Sequence, residues 1–374
     1  MKILYTNFHA GPGIGGHTVY IQRLAQALAP RHEIVVATPG TSALHRLAGE
    51  IPGVTAIAQE YPTRVPQMLK ARGPLRRLLC DREFDLIHVN GSSDHRLALL
   101  AAMGSKRPAI VLTKHNDLPI GKAGAMVRAP GTDAVIAVCE HVANMLEQTP
   151  YRRCEIATIR NGIDVSFFSP MDAAAKPALR RRWFGDELAG RIVLGSNAGT
   201  DDYKGWLDLM RGLALLPAPV RERVHVALAG DALDPAAVAE VERLGLSSQF
   251  TYVGRLEDVR PFIASFDVGF VLSWRVETIS FACREMMAMG IPVVVTRHAG
   301  LPENITEHSD GWIVPPRNPR AIADWVQTLV DGQWPLAEMG VRARVKSVRQ
   351  FGLEPFIAAT EAVYERAVRR RVSR

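Results

Sequence analysis

The 374 residues predict a two-domain α/β protein with a parallel sheet in each domain. Three observations support this. The length exceeds what one hydrophobic core usually serves. Residues 268–296 read as strand, helix and strand: VGFVLSW, ETISFACREMMAMG and IPVVVT. Such a βαβ unit demands a parallel pair, with ligand chemistry at the carboxyl ends of its strands. Residues 1–40 read as strand, glycine-rich loop, helix and strand: KILYTNF, HAGPGIGG, TVYIQRLAQALA and HEIVVAT.

In that first unit Gly11, Gly13 and Gly16 satisfy G-x-G-x-x-G, the dinucleotide fingerprint, which is weak alone. The fingerprint also wants a ribose-binding acid after the second strand, and IVVATPG offers Thr38 and no carboxylate. A nicotinamide cofactor is therefore disfavoured, while bare backbone before a helix still lets a phosphate approach. MLKARGPLRRLLCDR mixes Arg and Lys with Leu in an amphipathic pattern that the Gly73-Pro74 pair is expected to break. It reads as a solvated surface helix, with contact to anionic lipid as the alternative.

FDLIHVNG (84–91) and AIVLTKHND (109–117) are buried strands with polar residues just past their ends. His88 lies within its strand and reads as a core histidine. His115 follows an apolar strand, where ligands of open α/β sheets gather. AVIAVCEHV (134–142) leads from strand to helix, and the Asn161-Gly162 turn marks the domain boundary. A polar, Arg-rich stretch (171–190) precedes the second domain. There RIVLGSN, VHVALAGD, QFTYVGR and the βαβ unit supply further strands. DGWIVPPRNPRAIADWVQTLV and PFIAATEAVYERAVRRRVSR end the chain as strand plus helix and as an amphipathic basic helix.

Hydrophobic content of 47% and charged content of 22% are ordinary for a soluble globular protein. No apolar run approaches the ~20 residues that span a bilayer, and MKILYTNF reads as a first strand rather than a leader, so a cytoplasmic location is expected. Cys80, Cys139, Cys154 and Cys283 show no metal-ligand spacing and are expected as free thiols, with no metal site. A net charge of +7 favours anionic partners such as nucleotide phosphates or anionic lipid.

Two carboxylates stand out. Glu277 follows a strand where a helix begins, and Glu285 shares a helical face with Phe281 and Met289. Taken singly, each reads as a solvated or paired acid. At the mouth of a sheet, a carboxylate can instead accept bonds from ligand hydroxyls, and the helix start offers N–H groups to a diphosphate.

The full string, E-x7-E followed by MMAMGIPVV and AGLPE, resembles the signature of retaining GT-B glycosyltransferases of the GT4 family. Glu277, Glu285, Gly290, Pro292, Gly300 and Glu303 match its usual form. Thr278-Ile279-Ser280 replaces the common Gly-Phe-Gly, Met286 an Ala and Ala299 a Gly. IATIRNGIDVSFFSP resembles the family's interdomain segment, and Lys204-Gly205 its K-G pair. The resemblance implies two Rossmann-like domains facing across a cleft. The acceptor domain would be 1–165 with helix 355–374 packed back on it, and the donor domain 166–354.

It further implies roles. Glu285 holds ribose hydroxyls and Glu277 the donor sugar. Lys204, the amides near Phe281 and Ala282, and those of Gly15 and Gly16 meet the diphosphate, with the acceptor as the alternative contact of the Gly15–Gly16 loop. His115 serves the sugar hydroxyl or developing charge. Arg255 lies in the loop that matches the family's base-side loop. The usual second cation, an Arg before Lys204, is missing, and Arg255 or Arg275 would have to replace it. No residue reads as a covalent nucleophile, so front-face retention without a metal ion or cofactor is expected. The donor would be a UDP-, GDP- or ADP-sugar and the acceptor a glycan or glycolipid of the cell envelope, such as a lipopolysaccharide core. A peripheral contact with the inner membrane face is expected and nucleic acid is not. Two rivals remain: a sugar-nucleotide epimerase, and a non-enzymatic nucleotide-sugar-binding or membrane scaffold protein.

Overall fold

A computed structural model describes residues 1–104, 107–185, 188 and 190–372. Parts of the Arg-rich stretch (186, 187 and 189) and the last two residues of the basic end lie outside the described residues. The chain divides into two compact units. Unit 1 comprises Met1–Asn161 and the C-terminal segment from Glu354, and unit 2 comprises Gly162–Leu353.

Unit 1 is built on β1 (Lys2–Thr6), β2 (Glu33–Thr38), β3 (Val54–Ala58), β4 (Leu86–Val89), β5 (Ala109–Lys114), β6 (Ala134–Ala137) and β7 (Glu155–Thr158). All pair in parallel, in the order β3-β2-β1-β4-β5-β6-β7. Unit 2 repeats the scheme with β8 (Ile192–Ser196), β9 (Val224–Leu228), β10 (Phe250–Tyr252), β11 (Val268–Val271), β12 (Val293–Thr296) and β13 (Gly311–Val314). Their order is β10-β9-β8-β11-β12-β13, again all parallel. The inner strands are apolar on both faces because helices cover both, as parallel sheets require. In unit 2, Trp206, Met210, Ile322 and Val326 fill one side, and Phe262, Phe266, Met286 and Met287 the other.

Each sheet reverses its direction of winding once, between β1 and β4 and between β8 and β11. Chain connections diverge at such a point and leave a crevice at the strands' carboxyl ends, where ligands of doubly wound sheets sit.

The helix Leu353–Val372 belongs to unit 1. Tyr364 meets Tyr5 and His88, Glu361 meets Arg31 and His32, and Arg366 and Arg370 both bind Glu155.

Two helices differ from expectation. Val65–Arg82 runs unbroken through Pro74. Pro74 and Lys70 are both exposed, so the carbonyl that loses its N–H partner faces water. The helix of the βαβ unit begins at Phe281, not at Glu277. Val276 (φ 52°) and Ser280 (φ 48°) lie in the left-handed region, which stops the helix from starting earlier.

Candidate functional site

In unit 2 the β8/β11 crevice gathers most of the residues expected there. Lys204 follows β8 on a single 3-10 turn, Asp202–Lys204. Gly205 ends that turn with φ +75°, and a Cβ on it would lie 2.1 Å from the Leu272 carbonyl oxygen. Only glycine lets this loop rest against the end of β11, and that approach carries Lys204 to Glu277. Lys204 Nζ donates to Glu277 Oε2 at 2.6 Å, with the side chains 16% and 13% exposed. Ser273 Oγ lies 3.4 Å from the same oxygen. Across the crevice Asn197, just past β8, donates from Nδ2 to Glu285 Oε2 at 2.9 Å.

Thus a lysine, two carboxylates and a carboxamide converge on one sheet edge. An ammonium has three N–H donors, so Lys204 can keep Glu277 and still serve two anionic oxygens.

Phe281 and Ala282 form the first turn of the helix Phe281–Ala288, where the helix's own ladder provides no acceptor for backbone N–H groups. Ser280 caps that turn, its Oγ accepting from the Cys283 amide. The resembled signature places glycine at this position, and the positive φ of Ser280 shows why. Behind the helix, Arg284 is 1% exposed, bonds Asn304 Oδ1 at 2.8 Å and lies over the Phe351 ring.

Arg255 is not brought to this group. It follows β10, two strands away from β8, and pairs in the open with Asp231. Arg275 is nearer: it and Lys204 both lie over the Tyr203 ring, at 5.6 and 5.2 Å from its centre. A separate hollow of about 430 Å³ on unit 2 is lined by Asp201, Asp202, Asp231, Asp234 and Glu240. Its acidity suits no diphosphate, and neither Glu277 nor Lys204 lines it.

In unit 1 the β1/β4 crevice holds His115. Its Nε2 bonds Asn90 Oδ1 at 2.9 Å, and burial with neighbouring His17, His88 and Lys114 holds its pKa well below the usual range. Asn90 N and Thr6 Oγ1 both donate to Asp94 Oδ2 at 2.8 Å. Burial raises the Asp94 pKa to about 7. His88, as expected, is a core histidine: it shares hydrogen bonds with Tyr364 and Thr113, and burial lowers its pKa to about 3.

Gly15 caps the helix Gly16–Leu28 with extended backbone, and Gly16 opens it. A Cβ on Gly11, Gly13 or Gly15 would meet nothing within 4 Å. The chain's own packing therefore does not require these glycines.

Sequence reading did not foresee Asn197 and Ser273 as partners of Glu285 and Glu277, and it missed His9 and His17 entirely. Both histidines flank the glycine loop beside a strand end, a position that could have flagged them. The basic amphipathic helix lies at the surface, as expected, but two of its arginines are engaged within the unit. Arg72 Nε bonds the Leu100 carbonyl, and Arg76 bonds those of Ala101 and Met103. These arginines serve the carboxyl end of the helix Ser92–Ala102, where cations are favourable. Arg77 remains exposed. All four cysteines are free thiols. Among the described residues no group of three or more His, Cys, Asp or Glu could hold a metal ion, and no helix is long and apolar enough to cross a membrane.

Comparison with known proteins places this geometry in context. Residues 14–167 match the family model Glycosyltransferase Family 4, and residues 191–332 match Glycosyl transferases group 1. The N-acetyl-alpha-D-glucosaminyl L-malate synthase of Bacillus anthracis is 24% identical, over 94% of both chains. The lipopolysaccharide core biosynthesis mannosyltransferase LpsB of Rhizobium meliloti is 28% identical over 63% of this chain and 66% of its own. The crystal structure of Anabaena Alr3699/HepE in complex with UDP superposes with a TM-score of 0.82 at 21% identity, covering 97% of this chain and 99% of that one.

Proposed function

The chain belongs to the GT4-like glycosyltransferases of the GT-B fold, and from that premise we propose that it moves a sugar from a nucleoside-diphosphate donor to an acceptor hydroxyl with retention of anomeric configuration. The observation that carries this reading is the convergence of Lys204–Glu277 and Asn197–Glu285 on the β8/β11 edge. Glu285, steadied by Asn197, accepts from the ribose hydroxyls. Glu277 contacts the donor sugar and holds Lys204 in place. Lys204, Arg275 and the amides of the Phe281 turn receive the charge that builds on the leaving diphosphate. Positive groups fixed in advance where negative charge develops are a major part of catalysis. With that charge met by side chains and amides, the reaction needs no metal ion. The leaving phosphate takes the acceptor's proton on the face it departs from, so no protein nucleophile is required.

UDP is the first nucleotide to test, since the Anabaena neighbour is a UDP complex. The acceptor is a glycan or glycolipid of the cell envelope, in line with the Rhizobium relative's core-polysaccharide role. Val65 and Leu69, exposed on the surface helix beside Arg64, Lys70 and Arg77, would rest on anionic lipid near a lipid-linked acceptor.

A thermal-shift panel of UDP-, GDP- and ADP-sugars identifies the donor, because a ligand that binds only the folded state raises the melting temperature. NMR of the product's anomeric proton then reads the stereochemistry. Inversion, or isomerisation of the donor without any acceptor, refutes the proposal. So does transfer that survives Glu277→Ala in a folded protein.

A further inference from the structure

The β1/β4 crevice of unit 1 contains a column of three imidazoles. His9 is exposed on the glycine loop, and its ring centre lies 4.7 Å from that of His17. His17 lies in the first turn of the helix Gly16–Leu28, with its ring centre 4.1 Å from that of His115. The column therefore runs from solvent to Asn90.

Two buried donor-capable atoms beside it have no partner: His17 Nδ1 and Asn7 Nδ2. Asn7 is 0% exposed, and its Oδ1 accepts from the His9 amide. Lys114 gives two N–H groups to Asn116 and Leu118 and keeps one more. The bare backbone of Gly15 leads into the positive end of the thirteen-residue helix.

The groups facing this column are mostly basic. Lys114, at the end of β5, acts on His17 and His115 with positive charge, while His88, on β4, is kept neutral by burial. Tyr20 packs on His115 from the same helix as His17. The acids are Asp117, which acts on Lys114, and Asp94, which is turned toward Thr6 and Asn90. Burial and mutual repulsion keep the rings neutral, His17 with a pKa of about 4. Such a group is short of one thing, a negative charge to face.

We propose that His9, His17 and His115, with Lys114, the Asn7 amide and the Gly15–Gly16 backbone, form a receptor for an oxyanion carried by the acceptor, a carboxylate or a phosphate ester. The proposal deepens the transferase reading by naming the acceptor's chemical class. An anion entering the column favours the imidazolium form, so binding takes up protons and strengthens as pH falls.

Sulfate is the probe, because it does not itself titrate in this range. Calorimetry in two buffers of different ionisation enthalpy, with Lys204→Gln removing the donor-side cation, reads affinity and proton uptake together. Sulfate should bind at least about fivefold more tightly near pH 6 than near pH 8, with net proton uptake. His17→Gln should abolish the pH dependence, and His9→Gln, at an exposed position, should reduce it without affecting folding. Glycerate and glycerol phosphate then distinguish a carboxylate from a phosphate, and His9-dependent binding of either supports the receptor. Sulfate binding that is indifferent to pH, or unchanged in both histidine variants, overturns it. Donor binding in the thermal-shift panel is a separate readout: its loss would defeat the transferase reading while leaving the anion result to stand or fall by itself.

Discussion

The Lys204–Glu277 pair allows a quantitative test. Two unit charges 4 Å apart interact by about 4 kcal/mol at an effective dielectric constant of 20. Here nitrogen and oxygen are 2.6 Å apart, with only 16% and 13% of the side chains exposed. Desolvation offsets much of that attraction, leaving a net coupling of about 2 kcal/mol. Lys204→Gln alone leaves Glu277 with only Ser273 Oγ at 3.4 Å, and should lower stability by about 2–3 kcal/mol. Glu277→Gln should do nearly the same, and the double variant should fall well short of the sum. All six tryptophans lie in unit 2, so urea unfolding followed by tryptophan fluorescence reports this unit directly. In turnover, Lys204→Gln removes one fixed positive group and should lower kcat by about 10²–10³-fold. A coupling below about 0.5 kcal/mol would mean that the pair does not form in solution, and the argument that Glu277 positions Lys204 would fail.

Four further outcomes are expected. Gly205→Ala forces a Cβ against the Leu272 carbonyl and a residue into positive φ; it should cost about 3 kcal/mol or more in the same unfolding assay, together with donor binding. Ser280→Gly relieves a strained φ at little loss of capping and should raise unit 2 stability by about 1 kcal/mol. Arg72→Ala and Arg76→Ala should each lower unit 1 stability by about 1–2 kcal/mol by freeing helix carbonyls, while Arg77→Ala changes only sedimentation with anionic vesicles. Unit 1 should also lose stability in acid. His88 and His95 have folded pKa values of about 3 and His17 about 4, and burial holds His115 well below its unfolded value too, so the unfolded chain binds four more protons as pH falls below about 6.5. Asp94, raised to about 7, opposes this with one proton held by the folded state. The net of three protons corresponds to roughly 4 kcal/mol per pH unit, checked by circular-dichroism melts below about pH 6.

How far the site was legible in advance depends on the kind of contact involved. The βαβ pattern around 268–296 could be read because buried parallel strands are continuous apolar runs and helix ends carry local signals such as Gly290. Glu277, Glu285 and Lys204 could be named from the string in which they stand. The start of the helix after Glu277 could not, because it depends on left-handed backbone at Val276 and Ser280, two residues that rarely adopt it. That Arg255 lies two strands from β8 and pairs with Asp231 could not be read either, because proximity to a strand end does not say where that strand stands in the sheet.

The linear order of residues determined the fold class and the two parallel sheets, because periodicity, glycine placement and strand ends are local properties, while the acids and the lysine were singled out only through the resemblance of their strings to a family signature. Tertiary structure decided who meets whom: Lys204 with Glu277 across 73 positions, Asn197 with Glu285 across 88, and His9 with His17 and His115 in one column. Arg72 and Arg76 likewise meet the Leu100 and Ala101 carbonyls only because a second helix lies beside theirs. Such pairings follow from where the sheet reverses and which backbones can approach closely, and those are properties of the folded chain.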